Sequence, residues 1–368
     1  MKYKQCIRCV MDNISDTYIT FDEEGYCNYC SNAIKIKGKV YFPNEKGQKK
    51  IQKLINRLKS CRTEYDCIMG ISGGLDSSYL AYLGSVKWGL KILAVHIDDG
   101  FDTEVSKRNI EKISNFPNFN LKTIKPDAIQ FKELTKAFMR AGVPNLAIPQ
   151  DNVLFAGVYK YLKSNCLKTF LSGSNFALEC ILQKGNTHSA YDLRNINCIH
   201  KKFGKGKLNN LNLISDIKKD IDKFIFRIET ISPLNFIDYN RTNAMKELEK
   251  YCGFEYYGGK HLENELTKFI QQYWFYEKFG VDKRKSHLSS MIVSGQITRD
   301  EALKELNKPI YDESEMKNTI NSILKKLDLS NHEFNIVMQS KTHQHDEYLI
   351  SRYRKLKKIL SKIISHAN

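Results

Sequence analysis

Two sets of residues in this chain of 368 residues have types and spacings that can do chemistry. The first is Ser72-Gly73-Gly74-Leu75-Asp76-Ser77-Ser78. Glycines at 73 and 74 let the backbone take positive φ and approach an anion with no Cβ in the way. If a helix starts just after them, its free N–H groups and its dipole face that anion. Ser72, Ser77 and Ser78 add hydroxyl donors. Asp76 alone would repel a phosphate; it makes sense with Mg²⁺ between its carboxylate and the phosphates. The second set is Cys6-x2-Cys9 with Cys27-x2-Cys30. Two such pairs can put four thiolates at the corners of a tetrahedron around one Zn²⁺, a closed structural site with no open position for catalysis. A redox C-x-x-C pair is the alternative, but redox motifs do not usually come as two matched pairs.

The elements needed to hold the first set are visible around it. A buried strand is expected over 67–71, a loop over 72–77 and a helix from near Ser78. The loop is not a Walker A sequence, since no Lys-Ser or Lys-Thr follows the glycines. It also lacks the G-x-G-x-x-G of dinucleotide sites. SGGLDSS resembles the SGGxDS signature of the PP-loop ATP pyrophosphatases. That resemblance implies cleavage of ATP between its α and β phosphates, with AMP passed to an oxygen of the substrate. A Gly-Gly turn with no ligand is the alternative.

Strand and helix alternate onward from there. Strands are expected over 91–97, 121–124 and 169–171, and helices over 104–114, 131–141 and 153–164. This pattern predicts an α/β fold, a doubly wound parallel sheet of the PP-loop (adenine nucleotide α-hydrolase-like) type. Ligands of such sheets sit at the carboxyl ends of the strands, so the loops at 72–78, 97–100 and 172–175 should meet over one site. By the PP-loop resemblance, Ile97 and Asp98 lie near the base and ribose, and Gly173 approaches the same nucleotide. Residues 176–230 follow no simple period; Glu179, close after the fourth strand, is the candidate there for contact with a second substrate.

The segment around the cysteines reads as a zinc ribbon, with a strand at 19–21 and a turn at 22–25. It has so little core that the metal would supply its folding free energy. Past 235 the chain is helical, over 240–252, 263–279, 284–294 and 299–306, with Gly253, Gly280 and Gly295 closing the first three. Thr298 and Glu301 form a capping box for the fourth. Residues 351–368 carry an apolar and a basic helical face, expected to be a terminal helix docked on the body. The resulting division is a ribbon (1–40), an ATP-binding domain with substrate loops (41–235) and a helical region (236–368).

An apolar content of 42% is that of a globular protein, and a formal charge of +17 points to anionic partners such as nucleotides or acidic sugars. The charge is discounted because Lys, Asn and Ile are abundant throughout, as an AT-rich genome produces. No apolar run nears the ~20 residues of a membrane span, and the first residues form no signal-peptide core. The cysteines are not spaced as a secreted disulfide framework, so a reducing cytoplasm is expected.

Three stretches together carry a narrower resemblance. CIRCVMD…GYCNYC, YDCIMGISGGLDSS and KFGVDKRKSHLSSMIVSGQITRDEAL resemble the N-acetyl sugar amidotransferase family over nearly the whole chain. That family serves pseudaminic acid modification and acetamidino-sugar O-antigen synthesis. The resemblance implies ATP-dependent conversion of a sugar acetamido group to an acetamidino group, with ATP, Mg²⁺ and a structural Zn²⁺. The substrate would be an N-acetylated sugar or sugar nucleotide. No G-x-C-x-G glutaminase nucleophile occurs in the chain, so ammonia would come from a separate glutaminase subunit of the imidazole glycerol phosphate synthase type. Asp76 would hold the metal, and Glu179 would orient the substrate or deprotonate the incoming amine. No stable nucleic-acid partner is expected on this reading. The alternative, a tRNA-modifying PP-loop enzyme (a thiolase or a lysidine-type ligase), rests on the basic charge and the ribbon.

Overall fold

The computed structural model describes residues 2–354, 356 and 357. Five strands form one sheet: β1 (Cys67–Gly70), β2 (Ile92–Ile97), β3 (Phe119–Ile124), β4 (Thr169–Leu171) and β5 (Glu229–Ile231). Their order is β3-β2-β1-β4-β5 and every pairing is parallel. β1 is central, so the strand order reverses beside its carboxyl end, where doubly wound sheets bind ligands. The expected α/β fold with a parallel sheet is the one observed.

Side chains alternate across the sheet as a parallel strand buried on both faces requires. Ile68, Leu93, Val95 and Ile97 point into one apolar layer. Cys67, Met69, Ile71, Ile92 and Ala94 point into the other. The N-terminal segment leads into α1 (Asn28–Val40) and α2 (Glu45–Lys59), and β1 into α3 (Leu75–Ala81), which widens into a π-helix over Tyr82–Lys87. The sheet crossovers are α4 (Glu104–Ser114), then α5 (Ala128–Arg140) with α6 (Ile148–Ser164). After β4 come α7 (Phe176–Glu179), α8 (Leu193–Phe203) and α9 (Asp216–Phe224). The rest is helical: α10 (Arg241–Cys252), α11 (Glu265–Phe269) running into a π-helix at Ile270–Lys278, α12 (Arg284–Ser294), α13 (Arg299–Leu306), α14 (Glu313–Leu327) and α15 (Asn331–Gln339). Leu266, Phe269, Trp274, Leu324 and Tyr348 share one apolar layer with α5, α6 and the sheet.

Several expectations need correction. α3 begins at Leu75 with Gly74 as its N-cap, so Asp76, Ser77 and Ser78 form its first turn instead of a loop. The cause is local: the Ser77 and Ser78 hydroxyls donate to the Gly74 carbonyl at 3.2 and 2.6 Å, and Leu75 is buried. Residues 176–230 contain two full helices and the edge strand β5, whose Glu229-Thr230-Ile231 has no hydrophobic alternation to announce it. The strand at 19–21 reduces to a single bridge between Phe21 and Cys27, though the turn is present, with Gly25 at φ 84°. α14 and α15 went unread although Asp312 caps one and Ser330–Glu333 form a capping box for the other. The capping box at Thr298–Glu301 is as expected. The expected helix at 351–368 lies largely outside the described residues; of its basic side chains, Arg354 pairs with Asp216 at 3.5 Å and Lys357 with Asp220 at 2.6 Å. Among the described residues no helix is long and apolar enough to cross a membrane.

Candidate active site

The loop after β1 is shaped by two close approaches. Gly73 has φ +72°, and a Cβ there would lie 2.6 Å from the Ser106 carbonyl oxygen. The N-terminal half of α4 presses on the loop from that side: Ser106 Oγ donates to Ser72 O at 2.8 Å and Asn109 Nδ2 to Gly73 O at 3.3 Å. From the other side comes Gly173, past the end of β4, where a Cβ would stand 3.1 Å from Ser77 N. The loops after β1 and β4 therefore meet, as the topology predicts. Between them lies a cavity of about 250 Å³ lined by Ser72, Gly74, Asp76, Ser77, Gly173 and Glu179, among others. Ser72 and Ser77 share a hydroxyl contact of 3.3 Å at its edge. Ser78 is fully buried and its hydroxyl is tied to Gly74 O, so it faces the helix interior.

A segment that sequence reasoning missed closes over this cradle. Lys260 Nζ lies 2.7 Å from Asp76 Oδ2 and 2.9 Å from Glu179 Oε1, bridging the two carboxylates. Tyr239 donates its hydroxyl to the other oxygen of Asp76. The Tyr257 hydroxyl accepts from Leu75 N–H at 2.7 Å, capping the start of α3. Glu263 Oε1 accepts from Ser72 Oγ at 3.2 Å, while its Oε2 is buried with no partner among the described residues. Gly258 at φ +91° and His261 at φ +61° give the segment its tight path. The one sequence signal was Gly258-Gly259-Lys260, two flexible residues before a cation.

The charges of this cluster set one another. Burial pulls the Lys260 ammonium down, but the Asp76 and Glu179 carboxylates outweigh it and hold it above the usual lysine range. Burial pushes Glu179 up, yet Lys260 and His261 keep it far below the usual carboxylate range. Glu179 is thus firmly ionised, and a carboxylate so stabilised is a weak base. The position between Asp76 and Glu179 already receives a cation, and its oxygen donors suit Mg²⁺.

Because Glu263 sets a carboxylate where an anion would bind, Glu263→Gln should bind MgATP and inorganic pyrophosphate more tightly than the wild type. Removing one like charge at contact distance is worth about 1.4 kcal/mol, or about tenfold in affinity. Calorimetric titration checks this, and weaker binding would mean that Glu263 assists the nucleotide.

A second cavity of about 420 Å³ adjoins the first, sharing Ser72, Glu179, His261 and Glu263, and is lined also by Ile97, Gln150, Asp151 and Leu154. Ile97 therefore faces the site. Asp98 does not line this cavity; its carboxylate pairs with Lys125 at 3.2 Å. Beneath, His96 joins the two central strands, with Nδ1 3.0 Å from Ile71 O and Nε2 2.8 Å from Asp102. Burial pushes Asp151 up to about 6.

The four cysteines are brought together as their spacing predicts. All are fully buried, with ligand atoms within 4.8 Å of one another. Cys6 and Cys30 sulfurs are 3.7 Å apart, and those of Cys9 and Cys27 3.6 Å. A tetrahedron with Zn–S bonds of about 2.3 Å puts sulfurs about 3.8 Å apart, so the residues fit that metal. The backbone N–H groups of Cys9 and Cys27 point at Cys6 Sγ, at 3.5 and 3.2 Å, which suits a thiolate. This unit docks on α12 and α13. Arg299 donates to the Cys9 and Cys6 carbonyls at 3.2 Å, Val10 N–H to Ser289 Oγ at 3.2 Å, and Lys285 pairs with Asp12.

Residues 263–360 match the family model described as "LPS biosynthesis protein WbpG-like, C-terminal domain". The resemblance read at 278–303 falls inside the matched segment and is borne out there. The uncharacterized protein MJ1599 of Methanocaldococcus jannaschii is 23% identical over 321 residues, spanning 84% of this chain and 97% of that protein. Among solved structures, NMN synthetase from Francisella tularensis has a TM-score of 0.28 at 17% identity, over 78% of this chain and 95% of that one. The NH3-dependent NAD synthetase from Campylobacter jejuni has a TM-score of 0.29 at 16% identity, over 55% and 92%. The fold assignment rests on the strand order of the chain itself.

Proposed function

We propose that the chain is an ATP-dependent amidotransferase that converts the acetamido group of a sugar to an acetamidino group in the synthesis of bacterial surface glycans. The observation that carries this reading is the cradle at the end of β1, with the Asp76–Lys260–Glu179 cluster beside it and a lipopolysaccharide-biosynthesis family match over 263–360. An amide oxygen is a poor leaving group and must be activated before nitrogen can replace it. Attack of that oxygen on the α-phosphate, with loss of the amide proton, forms an O-adenylyl imidate and expels pyrophosphate. Ammonia then adds to the imidate carbon, AMP leaves with the original oxygen, and the amidine remains.

The residues have distinct parts in this scheme. Ser72, Gly73, Gly74 and Ser77, with the N–H groups of Asp76 and Ser77 in the first turn of α3, receive the departing phosphates. Lys260 stands where negative charge develops. Glu179, ionised and a weak base, orients Lys260 and the amide. Ile97 and Gly173 border the nucleotide; Asp98, outside the cavity lining and paired with Lys125, takes no part in this scheme. When bound at Asp76, Mg²⁺ would offset phosphate charge.

The zinc site at Cys6, Cys9, Cys27 and Cys30 has a structural part, as a support for α12. Among the described residues no cysteine lines either cavity, which counts against thiolation chemistry of the tRNA-modifying kind. The test is mass spectrometry of an N-acetylated sugar incubated with the protein, MgATP and ammonium chloride, which should show oxygen exchanged for NH together with AMP. AMP release stimulated by tRNA and not by sugars would overturn the reading. With no glutaminase nucleophile in the chain, free ammonium at high pH should support the reaction and glutamine should not until a glutaminase is added. Product from glutamine with this chain alone would contradict the need for a partner.

A further inference from the structure

A third cavity, of about 500 Å³, lies on the far side of the 258–262 segment. It shares Gln271, Lys283 and His287 with the second cavity and Lys260 with the phosphate cavity. None of the features that mark a site in the sequence points to it.

Its walls hold polar groups that the protein itself leaves unpaired. The Oε1 atoms of Gln271 and Gln272 are buried and have no hydrogen-bond partner among the described residues. Lys283 is 8% exposed, and its ammonium makes no hydrogen bond or ion pair among the described residues. The Phe275 ring lies 5.5 Å from it. Burial pulls the ammonium down to about 8. Such groups destabilise a fold unless something binds them. Gln271 and Gln272 are sequence neighbours that line one cavity because they lie on the π-helix at Ile270–Lys278. Wide turns of this kind recur at functional sites. Lys283, the N-cap residue of α12, and His287 in its first turns are four residues apart and line the same space.

We infer that this cavity, walled by Gln271, Gln272, Lys283 and His287, seats the acceptor sugar. The inference rests on the amidotransferase reading and locates its second substrate. Two amide oxygens accept from sugar hydroxyls, and the lysine donates to a sugar or carboxylate oxygen. Leu288 and Met291 offer apolar surface to the ring face and the acetyl methyl. A sugar held there has Lys260, which lines both this cavity and the phosphate cavity, between it and the phosphates. Gln271, Gln272, Lys283 and His287 all lie in the segment matched at 263–360; of the 176–230 stretch in which a second substrate was expected, Leu178 lines this cavity.

The experiment uses saturation-transfer NMR on the full chain with N-acetylglucosamine, UDP-N-acetylglucosamine and N-acetylneuraminate. These three separate a free neutral sugar, a nucleotide-linked one and an acidic one. At least one should show transfer to its acetyl methyl. Lys283→Met and Gln272→Leu should each weaken that sugar about tenfold, the usual consequence of removing one of a few polar contacts. MgATP affinity should stay the same in both variants. Their melting temperatures should hold or rise, because each change removes an unpaired buried group. Unaltered sugar binding in both variants would overturn the location and leave the amidotransferase reading standing. A melting temperature lowered by several degrees would make the residues structural and overturn it too. Wild-type protein that binds none of the three sugars would bring down the amidotransferase reading along with it.

Discussion

Asp76→Asn is expected to bind MgATP only modestly less well than the wild type and to turn it over about a hundredfold more slowly. The loop's backbone N–H groups and the Ser72 and Ser77 hydroxyls remain, and these account for most of the ground-state hold on the phosphates. What is lost is the carboxylate charge that fixes a cation against them, and that charge matters most as the α–β bond breaks. A loss of about 3 kcal/mol in the transition state is roughly a hundredfold in rate. The structure adds a stability effect. Asp76 is not free in a solvated cleft, since it holds Lys260 at 2.7 Å and the Tyr239 hydroxyl. Asparagine leaves Lys260 with Glu179 alone, so stability should fall, though by less than the 3–5 kcal/mol typical of a buried ion left with no partner. Ser72→Ala should do less to turnover, since one neutral hydrogen bond is worth about 1 kcal/mol. Nucleotide titration, initial rates of AMP formation and thermal melts separate these effects. Unchanged AMP formation in Asp76→Asn would reduce the loop to a Gly-Gly turn.

Cys9→Ser is expected to lose bound zinc and soluble folded protein together, where the wild type carries one equivalent of metal. The ribbon has no regular strand of its own, only isolated bridges at Gln5–Asp12 and Phe21–Cys27, so the metal must hold it together. Zinc binding by such units is worth about 10–16 kcal/mol near neutral pH, more than most domains' whole stability. The damage should also reach the site. Arg299, Ser289 and Lys285 bond to the ribbon from α12 and α13, and α12 carries His287 just after Lys283. Variant protein that stays soluble should therefore bind its sugar weakly. Elemental analysis of the purified chain is decisive: no zinc in wild-type protein, or a Cys6–Cys9 disulfide in fresh preparations, would reject the site.

Much of the architecture was legible because it depends on local chemistry. The runs 67–71, 91–97 and 169–171 are short and apolar, and a strand buried on both faces can hardly be written otherwise. α4 and α12 were read to the residue, since Thr103 caps one start and Gly295 closes the other end with φ +90°. The two cysteine pairs announce their meeting because tetrahedral geometry constrains their spacing. The Ser-Gly-Gly-x-Asp-Ser run announces an anion site because only glycine tolerates the approach of Ser106 at position 73.

The remainder depended on contacts between residues far apart in the chain. No local pattern relates Lys260 to Asp76 or Glu179, since a charged residue after two glycines reads as a surface turn until the fold buries it. Tyr239 and Tyr257 show the same limit: a phenol in a loop says nothing about which helix start it will cap. Ser78 shows it in reverse, a residue with the right type and spacing whose hydroxyl the helix itself takes up. Sequence by itself determined the parallel sheet, the place of the Gly-Gly loop on it and the grouping of four cysteines. Tertiary structure alone decided which cation bridges the carboxylates, which carboxylate sits against the loop and which polar groups of the π-helix at Ile270–Lys278 are left unpaired among the described residues. Strand pattern, turn chemistry and ligand spacing are short-range properties of the chain, whereas the charge balance of a buried site is settled only when distant segments pack together.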